Sequence, residues 1–350
     1  MACTLLGISA LPGEHSHNLG MMGMHGHART NRAVQRADLV IALGMRFDDR
    51  ATGDVAKFAP KAKKVHVDLD ACELGKNVAV DVAIVADVRS VLEKLVRSLG
   101  RSRHVEWWSE IGSFEREVLA PVVEAPRADD RLLASDVLEA IWNATGGDAT
   151  VVTDVGQHQM WAAQHRLIGR GRFITSGGHG TMGFALPAAM GVRLASPDDE
   201  IWVIAGDGGF QMTSSELSTV AEEGIKLNIA VINNGGLGMV RQIQELFYGC
   251  RRVASALRSP DFVTLAAAPG IDALRVDRRC DVEAAVRRAR GSAQCLLIDF
   301  RVAADDLVVP TVPAGAGLGE MVERPAGARG DSQGHVRSMA PRALDLGGVA

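Results

Sequence analysis

The stretch from Ile201 to Val240 constrains the fold more than any other: "IWVIAGDGG" and "LNIAVINNGG" bracket the helical run "TSSELSTVAEEG". Each flank is a short, continuous apolar run closed by glycines, the pattern of a parallel strand buried on both faces. Two such strands around one helix form a βαβ crossover, with Thr213 or Ser214 placed to cap the helix. A crossover lays the carboxyl ends of its strands side by side, so Asp207 and Asn234 should meet at the sheet edge where open α/β folds bind ligands. A carboxylate, an amide oxygen and a nearby backbone carbonyl are hard ligands suited to Mg²⁺. Gly208 and Gly209 let the backbone approach a diphosphate, and the helix that follows favours its charge. "GDGG" alone reads as a tight turn; "NN" directly after the next strand is hard to explain by turn chemistry.

The remainder repeats the alternation. "ADLVIALG", "KKVHVDLD" and "VAIVADV" precede the helix "SVLEKLVRSL", and a later set, "DATVVTDVG", "GRFITSGG" and "QCLLIDFRV", surrounds the central crossover. The fold class is therefore α/β, with two doubly wound parallel-sheet domains. The expected division is 1–100 for the first unit and 101–133 for a charged connector around the helix "HVEWWSEIGSFEREV". The second unit follows at 134–312, and 313–350 forms a tail whose last part is Gly, Ala, Arg and Pro-rich and expected to be disordered. A net charge of -4 with interspersed signs argues against nucleic acid and anionic membranes as partners. Five dispersed cysteines read as reduced thiols, and the opening "MACTLLGISALPGEH" lacks the basic region of a signal peptide, so a cytoplasmic location is expected.

The paired "GDG" and "NN" resemble the diphosphate and metal motif of thiamine diphosphate enzymes. The neighbouring "VGQHQMWAAQ", "SGGHGTMGFALPAAMG", "GMVRQIQELFY", "LGMMGMHG", "GMRFDDRATG" and "VHVDLDACELGKN" narrow the likeness. Together they resemble the catalytic chains of acetolactate synthase, also called acetohydroxyacid synthase, over almost everything up to Val322. The resemblance implies that Asp207, Asn234 and the carbonyl of Gly236 hold Mg²⁺. Gly156, Gln157, His158, Met182, Gly208, Gly209, Leu237, Gly238 and Met239 would contact thiamine diphosphate. It implies an FAD-binding first unit, with Met24, His25, Gly44, Arg46, Asp48, Asp68, Asp87 and Val88 at flavin-contacting positions. Met182, as the apolar wedge under the bent cofactor, His158 and Arg50 fall at the reacting centre. The Arg50 fork suits a 2-keto acid carboxylate, although an ion pair with Asp49 is the plainer alternative. The implied reaction decarboxylates pyruvate and joins the two-carbon unit to pyruvate or 2-ketobutyrate, toward valine, leucine and isoleucine. Implied partners are a second copy of the chain or a separate N-terminal-domain chain, and a regulatory small subunit.

His179 stands where the family usually has a small or aliphatic residue, and Ile243 where most members have tryptophan, which bears on acceptor preference. The chain also opens inside the family's middle domain. It is expected to lack the pyrimidine-binding domain with its catalytic glutamate, to expose strand edges and apolar surface, and to be inactive alone. It would then be a fragment or one half of a split enzyme. The alternatives are a non-catalytic cofactor-binding remnant, or another carboligase or oxidase such as glyoxylate carboligase.

Overall fold

A computed structural model of the chain describes residues 1–100, 102–119, 130–165 and 172–323. In the first unit, α1 (Ala28–Arg36) precedes three parallel strands, β1 (Leu39–Leu43), β2 (Lys63–Asp68) and β3 (Val82–Val85), paired in chain order. Leu43 pairs with Val67 and Asp68 with Val85, so Gly44, Asp68 and Asp87 follow one another along the carboxyl edge of this sheet. The helix α2 (Val88–Ser98) starts where the Asp87 carboxylate accepts the Ser90 amide at 3.1 Å. Leu39, Ile41 and Leu43 of β1 and Val82 and Val85 of β3 are exposed.

The helix expected inside the connector forms as α3 (Val105–Leu119). Its Ile111 and Phe114 bury against Leu19 and Ala33, the latter on α1, so this helix shares a core with the first unit. The chain returns to that unit at its other end as well. Val312 and Leu318 join Phe47 and Phe58 in one cluster, Val312 donates to the Met24 carbonyl at 2.8 Å, and Lys57 meets Glu320 at 2.7 Å. Residues 313–323 are thus docked rather than trailing; the disordered part expected of the tail, 324–350, lies outside the described residues.

The second unit opens with α4 (Ala134–Thr145), then β4 (Thr150–Thr153), α5 (Gln157–Gln164), β5 (Phe173–Thr175), α6 (Ala185–Ala195) and β6 (Ile201–Gly206). It continues through α7 (Asp207–Thr213), β7 (Asn228–Asn233), α8 (Gly238–Phe247), β8 (Asp272–Val276), α9 (Val282–Gly291) and β9 (Leu296–Arg301). All six strands are parallel, in the order β8-β9-β7-β6-β4-β5. The central strands read as unbroken apolar runs because alternate residues feed two cores. Trp202, Ile204, Ala230 and Ile232 face α4 and α9, while Ile201, Val203, Ile229 and Val231 face α6. Complete burial of each large aliphatic side chain contributes roughly 1.5–3 kcal/mol relative to exposure. Polar residues therefore concentrate at strand ends.

Two expectations need correction. Neither Thr213 nor Ser214 caps a helix with its side chain: helix starts at Asp207, and a short 3₁₀ turn at Ser214–Glu216 leads into a second helix at Leu217–Glu222. The hydroxyls are used elsewhere, Thr213 donating to the Gly183 carbonyl and Ser214 to that of Gln211. β8 was not legible as a strand, because "DALRV" is a half-exposed edge strand carrying charge at both ends of its apolar core.

Candidate active site

Strand order reverses between β4 and β6: the chain leaves β4 outward to β5 and returns to pair β6 on the other side. A crevice opens at such a switch point. Here it is one wall of a cavity of about 730 Å³ shared with the first unit, ample for a cofactor. Gly156 begins α5 with φ 150°, turning Gln157 and His158 inward, where both are buried. A Cβ on Gly206 would lie 2.8 Å from the His158 ring, so this glycine makes room for the imidazole. The ring's Nε2 is buried without a partner. Burial lowers the His158 pKa to about 4, against the opposing charge of Asp154, and burial likewise takes His25 to about 4.

Both rings are therefore neutral when folded, whereas an unfolded chain protonates them below about pH 6.5. Their contribution to stability is complete above that pH and is lost as pH falls from about 6.5 toward 4. Thermal midpoints measured across this interval should fall steadily, and the His158 ring resonances should not titrate between pH 7 and 5. A ring that titrates near 6.5 would refute this environment.

Asp207 and Asn234 emerge together, as the crossover requires. The Asp207 carboxyl is buried, which raises its pKa; Oδ2 accepts from the Ser259 hydroxyl at 2.9 Å, while Oδ1 is buried and unpartnered. Asn234 Oδ1 is also buried and unpartnered, its Nδ2 donating to Gln157 Oε1 at 3.0 Å. Around Gly236, the Leu237 amide bonds Ser255 and the Gly235 carbonyl accepts from Leu257, so the Gly236 carbonyl takes no part in that bridge. Two orphaned hard oxygens beside a carbonyl left out of its own bridge fit a Mg²⁺ ion. The paired asparagines divide their work: Asn233 Nδ2 donates to Asp299 at 2.8 Å inside the sheet, and only Asn234 faces the site.

Glycines clear the floor. A Cβ on Gly208 would lie 2.8 Å from Leu237 and 3.6 Å from Met182, and one on Gly238 only 2.0 Å from Gln157 Oε1. Leu237, Gly238 and Met239 begin α8 on the cavity wall. Met182 is held by a residue that the motif reading missed. The Asp154 carboxylate, 1% exposed, accepts the amides of Val155, Gly183 and Ala185 at 2.7 to 3.3 Å, and a Cβ on Gly209 would strike it at 2.3 Å. Its signal was available, a carboxylate ending the apolar run "TVVTD" as Asp207 ends "IWVIAGD". Arg241, buried on α8 with NH1 3.4 Å from the Asn234 carbonyl, gave no such signal.

The first unit supplies the opposite wall. Gly23 has φ 108° and no room for a Cβ, which would lie 2.4 Å from the Arg50 carbonyl; the Met24 amide bonds that carbonyl at 2.7 Å. "GMHG" is thereby stacked on "RFDDR", and Met24, His25, Gly44, Arg46, Asp48 and Arg50 all line the cavity. Asp68, Asp87 and Val88 lie on the same sheet edge but outside the lining. Asp48 caps the turn at Asp49–Thr52 by accepting two amides, and Asp68 accepts the Asp70 amide at 2.9 Å, so these carboxylates shape their own loops. Arg50 and Asp49 are 4.0 Å apart and both exposed, a pairing too loose to hold the guanidinium from the cavity. His179 and Ile243 also line it.

Comparison with known proteins agrees with this geometry. Residues 154–300 match the family described as thiamine pyrophosphate enzyme, C-terminal TPP binding domain, and residues 1–95 match thiamine pyrophosphate enzyme, central domain. The chain is 46% identical to the acetolactate synthase large subunit of Mycobacterium tuberculosis over 332 residues, covering 91% of this chain and 53% of that one. It is 44% identical to the large subunit of Corynebacterium glutamicum over 325 residues (89% and 52%). Against the isozyme 1 large subunit of Escherichia coli it is 40% identical over 321 residues (91% and 57%). The chain spans about half the length of the curated relatives it matches. With the two family matches falling on the two sheets whose edges build the cavity, the chain belongs to the acetolactate synthase large-subunit family of thiamine diphosphate enzymes.

Proposed function

We propose that the chain carries the cofactor-binding half of an acetolactate synthase reaction: pyruvate loses CO₂ and its two-carbon remainder joins a second pyruvate or a 2-ketobutyrate. The observation that carries this reading is the pair of buried, unpartnered oxygens, Asp207 Oδ1 and Asn234 Oδ1, beside a glycine-cleared floor at the switch point. Asp207, Asn234 and the Gly236 carbonyl would hold Mg²⁺, and the backbone at Gly208 and Gly209 would accommodate a diphosphate. Thiamine diphosphate, when bound, supplies the carbon nucleophile for the keto group and takes up the electron pair left by CO₂. Met182 forms the apolar support, and neutral His158 presents a buried ring nitrogen, without a partner in the chain, that can hydrogen-bond the bound cofactor or substrate; its lowered pKa disfavours the charged ring. Arg50, exposed to the cavity, anchors the substrate carboxylate by charge and fork geometry.

FAD would lie along the first-unit edge at Gly44, Asp68 and Asp87, with Met24, His25, Arg46, Asp48 and Val88 around it; the overall reaction has no net redox change, so its role would be to shape the wall. The relatives are named large subunits, which supports a regulatory small subunit as a partner, and an oligomer belongs to the same reading. Among the described residues no helix is long and apolar enough to cross a membrane. Titrating thiamine diphosphate into the chain should show binding that requires Mg²⁺. The loaded chain, co-expressed with a family N-terminal-domain chain and given ¹³C-pyruvate, should release acetolactate. Acetaldehyde as the sole product would assign a simple decarboxylase instead, and metal-dependent binding with no product would favour a cofactor-holding module.

A further inference from the structure

We propose that Gln157 and Gln242 form an amide relay that fixes which end of the Asn234 side chain faces the cation, with the Val308 peptide as its immovable end; the inference rests on the Mg²⁺ reading above. Asparagine and glutamine amides are nearly symmetric in shape, and only their partners distinguish oxygen from nitrogen. Here the partners form a closed chain of decisions. Val308 donates its amide to Gln242 Oε1 at 2.7 Å and accepts from Gln242 Nε2 at 2.9 Å. That pairing leaves Gln242 Oε1 to accept from Gln157 Nε2 at 2.8 Å, and Gln157 Nε2 also donates to the Asp306 carbonyl at 3.1 Å. Gln157 Oε1 is thereby turned to Asn234 Nδ2 at 3.0 Å, which sends Asn234 Oδ1 to the cation side.

A flipped Asn234 would set two acceptors against each other. Relieving that clash by flipping Gln157 moves its oxygen against Gln242 Oε1 and the Asp306 carbonyl, and flipping Gln242 opposes it to both groups of the Val308 peptide. The main-chain N–H and C=O of Val308 cannot exchange places as the ends of a side-chain amide can. Gln157 and Gln242 are 3% and 1% exposed, so water cannot substitute for a wrong partner. Gly238 keeps the relay's last link open, since a Cβ there would lie 2.0 Å from Gln157 Oε1 and 2.5 Å from Asn234 Nδ2. Gln242 does not itself line the cavity; it is a positioning residue acting through Gln157, which does.

The test titrates Mg²⁺ into the full chain with thiamine diphosphate present. Gln242→Met, which keeps volume but removes both amide roles, should weaken Mg²⁺ binding roughly 10–100-fold, as loss of an orienting partner does at metal sites. Gln242→Glu, kept protonated at so buried a position, retains both accepting roles and an O–H for the Val308 carbonyl, and should stay within about threefold of the unmodified chain. A carboxylate has two equivalent oxygens and nothing to orient, and the relay only sets Gln157 Oε1 against it, so in an Asn234→Asp background Gln242→Met should not weaken Mg²⁺ binding. General damage to the fold would weaken binding equally in both backgrounds and overturn the relay. So would an unchanged affinity in Gln242→Met. If Gln242→Met does not fold by circular dichroism, Gln242→Leu takes its place in the same cycle with the same two outcomes, because Gln157 itself lines the cavity. Asp207→Ala separates this inference from the one beneath it: loss of Mg²⁺ binding there with none in Gln242→Met sinks the relay alone, whereas retention in Asp207→Ala sinks the metal site.

Discussion

Replacing Asp207 by alanine is expected to remove Mg²⁺-dependent thiamine diphosphate binding, by more than about 100-fold, since losing a ligand exceeds the 10–100-fold cost of losing a ligand's supporting partner. The carboxylate is the only full charge among the three proposed ligand groups, and its orientation is already set by the Ser259 hydroxyl on Oδ2. Burial raises its pKa, which means that the folded chain holds a charge it would rather not hold until a cation arrives. Asp207→Asn should therefore leave the cofactor-free chain at least as heat-stable as the unmodified one while abolishing the rise in melting temperature on adding Mg²⁺ and thiamine diphosphate. Calorimetry and a thermal scan read the two halves separately. Unchanged metal-dependent binding in Asp207→Ala, with the circular dichroism spectrum intact, would remove the metal assignment.

The largest expected loss of stability at the site comes from Asp154→Ala. Its carboxylate satisfies the buried amides of Gly183 and Ala185 as well as that of Val155 beside it. Leaving two buried N–H donors unpaired costs about 1–3 kcal/mol each, roughly 2–6 kcal/mol together, a large part of the 5–15 kcal/mol typical of a folded domain. Because Met182 immediately precedes Gly183, the same change frees the apolar support under the cofactor, so affinity should fall along with the urea midpoint. Asp154→Asn, which retains one accepting oxygen, should lose less of both. A urea midpoint for Asp154→Ala that matches the unmodified chain would show that water or a neighbour replaces the carboxylate.

Much of the site was open to reading before any coordinates. The apolar runs around Asp207 and Asn234 demand buried parallel strands, and a right-handed crossover between neighbours leaves their carboxyl ends adjacent. The glycines of "GDGG" and "NNGG" suggest close approach; Gly208, Gly209 and Gly236 have no room for a Cβ against the chain's own atoms, whereas Gly235 has open space around it. The first-unit strands were equally plain, each ending where a cavity or edge residue sits. Less visible were features that depend on partners far along the chain. "DALRV" lacks strand periodicity because an edge strand buries little, and Thr213 resembled a helix cap until Gly183 took its hydroxyl.

Local sequence, then, determined the elements, their parallel sense and the side chains presented at their ends, because burial on both faces and the period of a strand are properties of consecutive residues. The tertiary structure decided what each presented atom meets. The strand reversal beside β4, the return of residues 311–322 onto the first unit, the seating of Asp154 under Gly183 and the Val308–Gln242–Gln157–Asn234 chain join segments from about 30 to nearly 300 residues apart. Hydrogen-bond direction at a buried amide is set by whichever donor or acceptor packing brings to it, and no stretch of neighbouring residues carries that information.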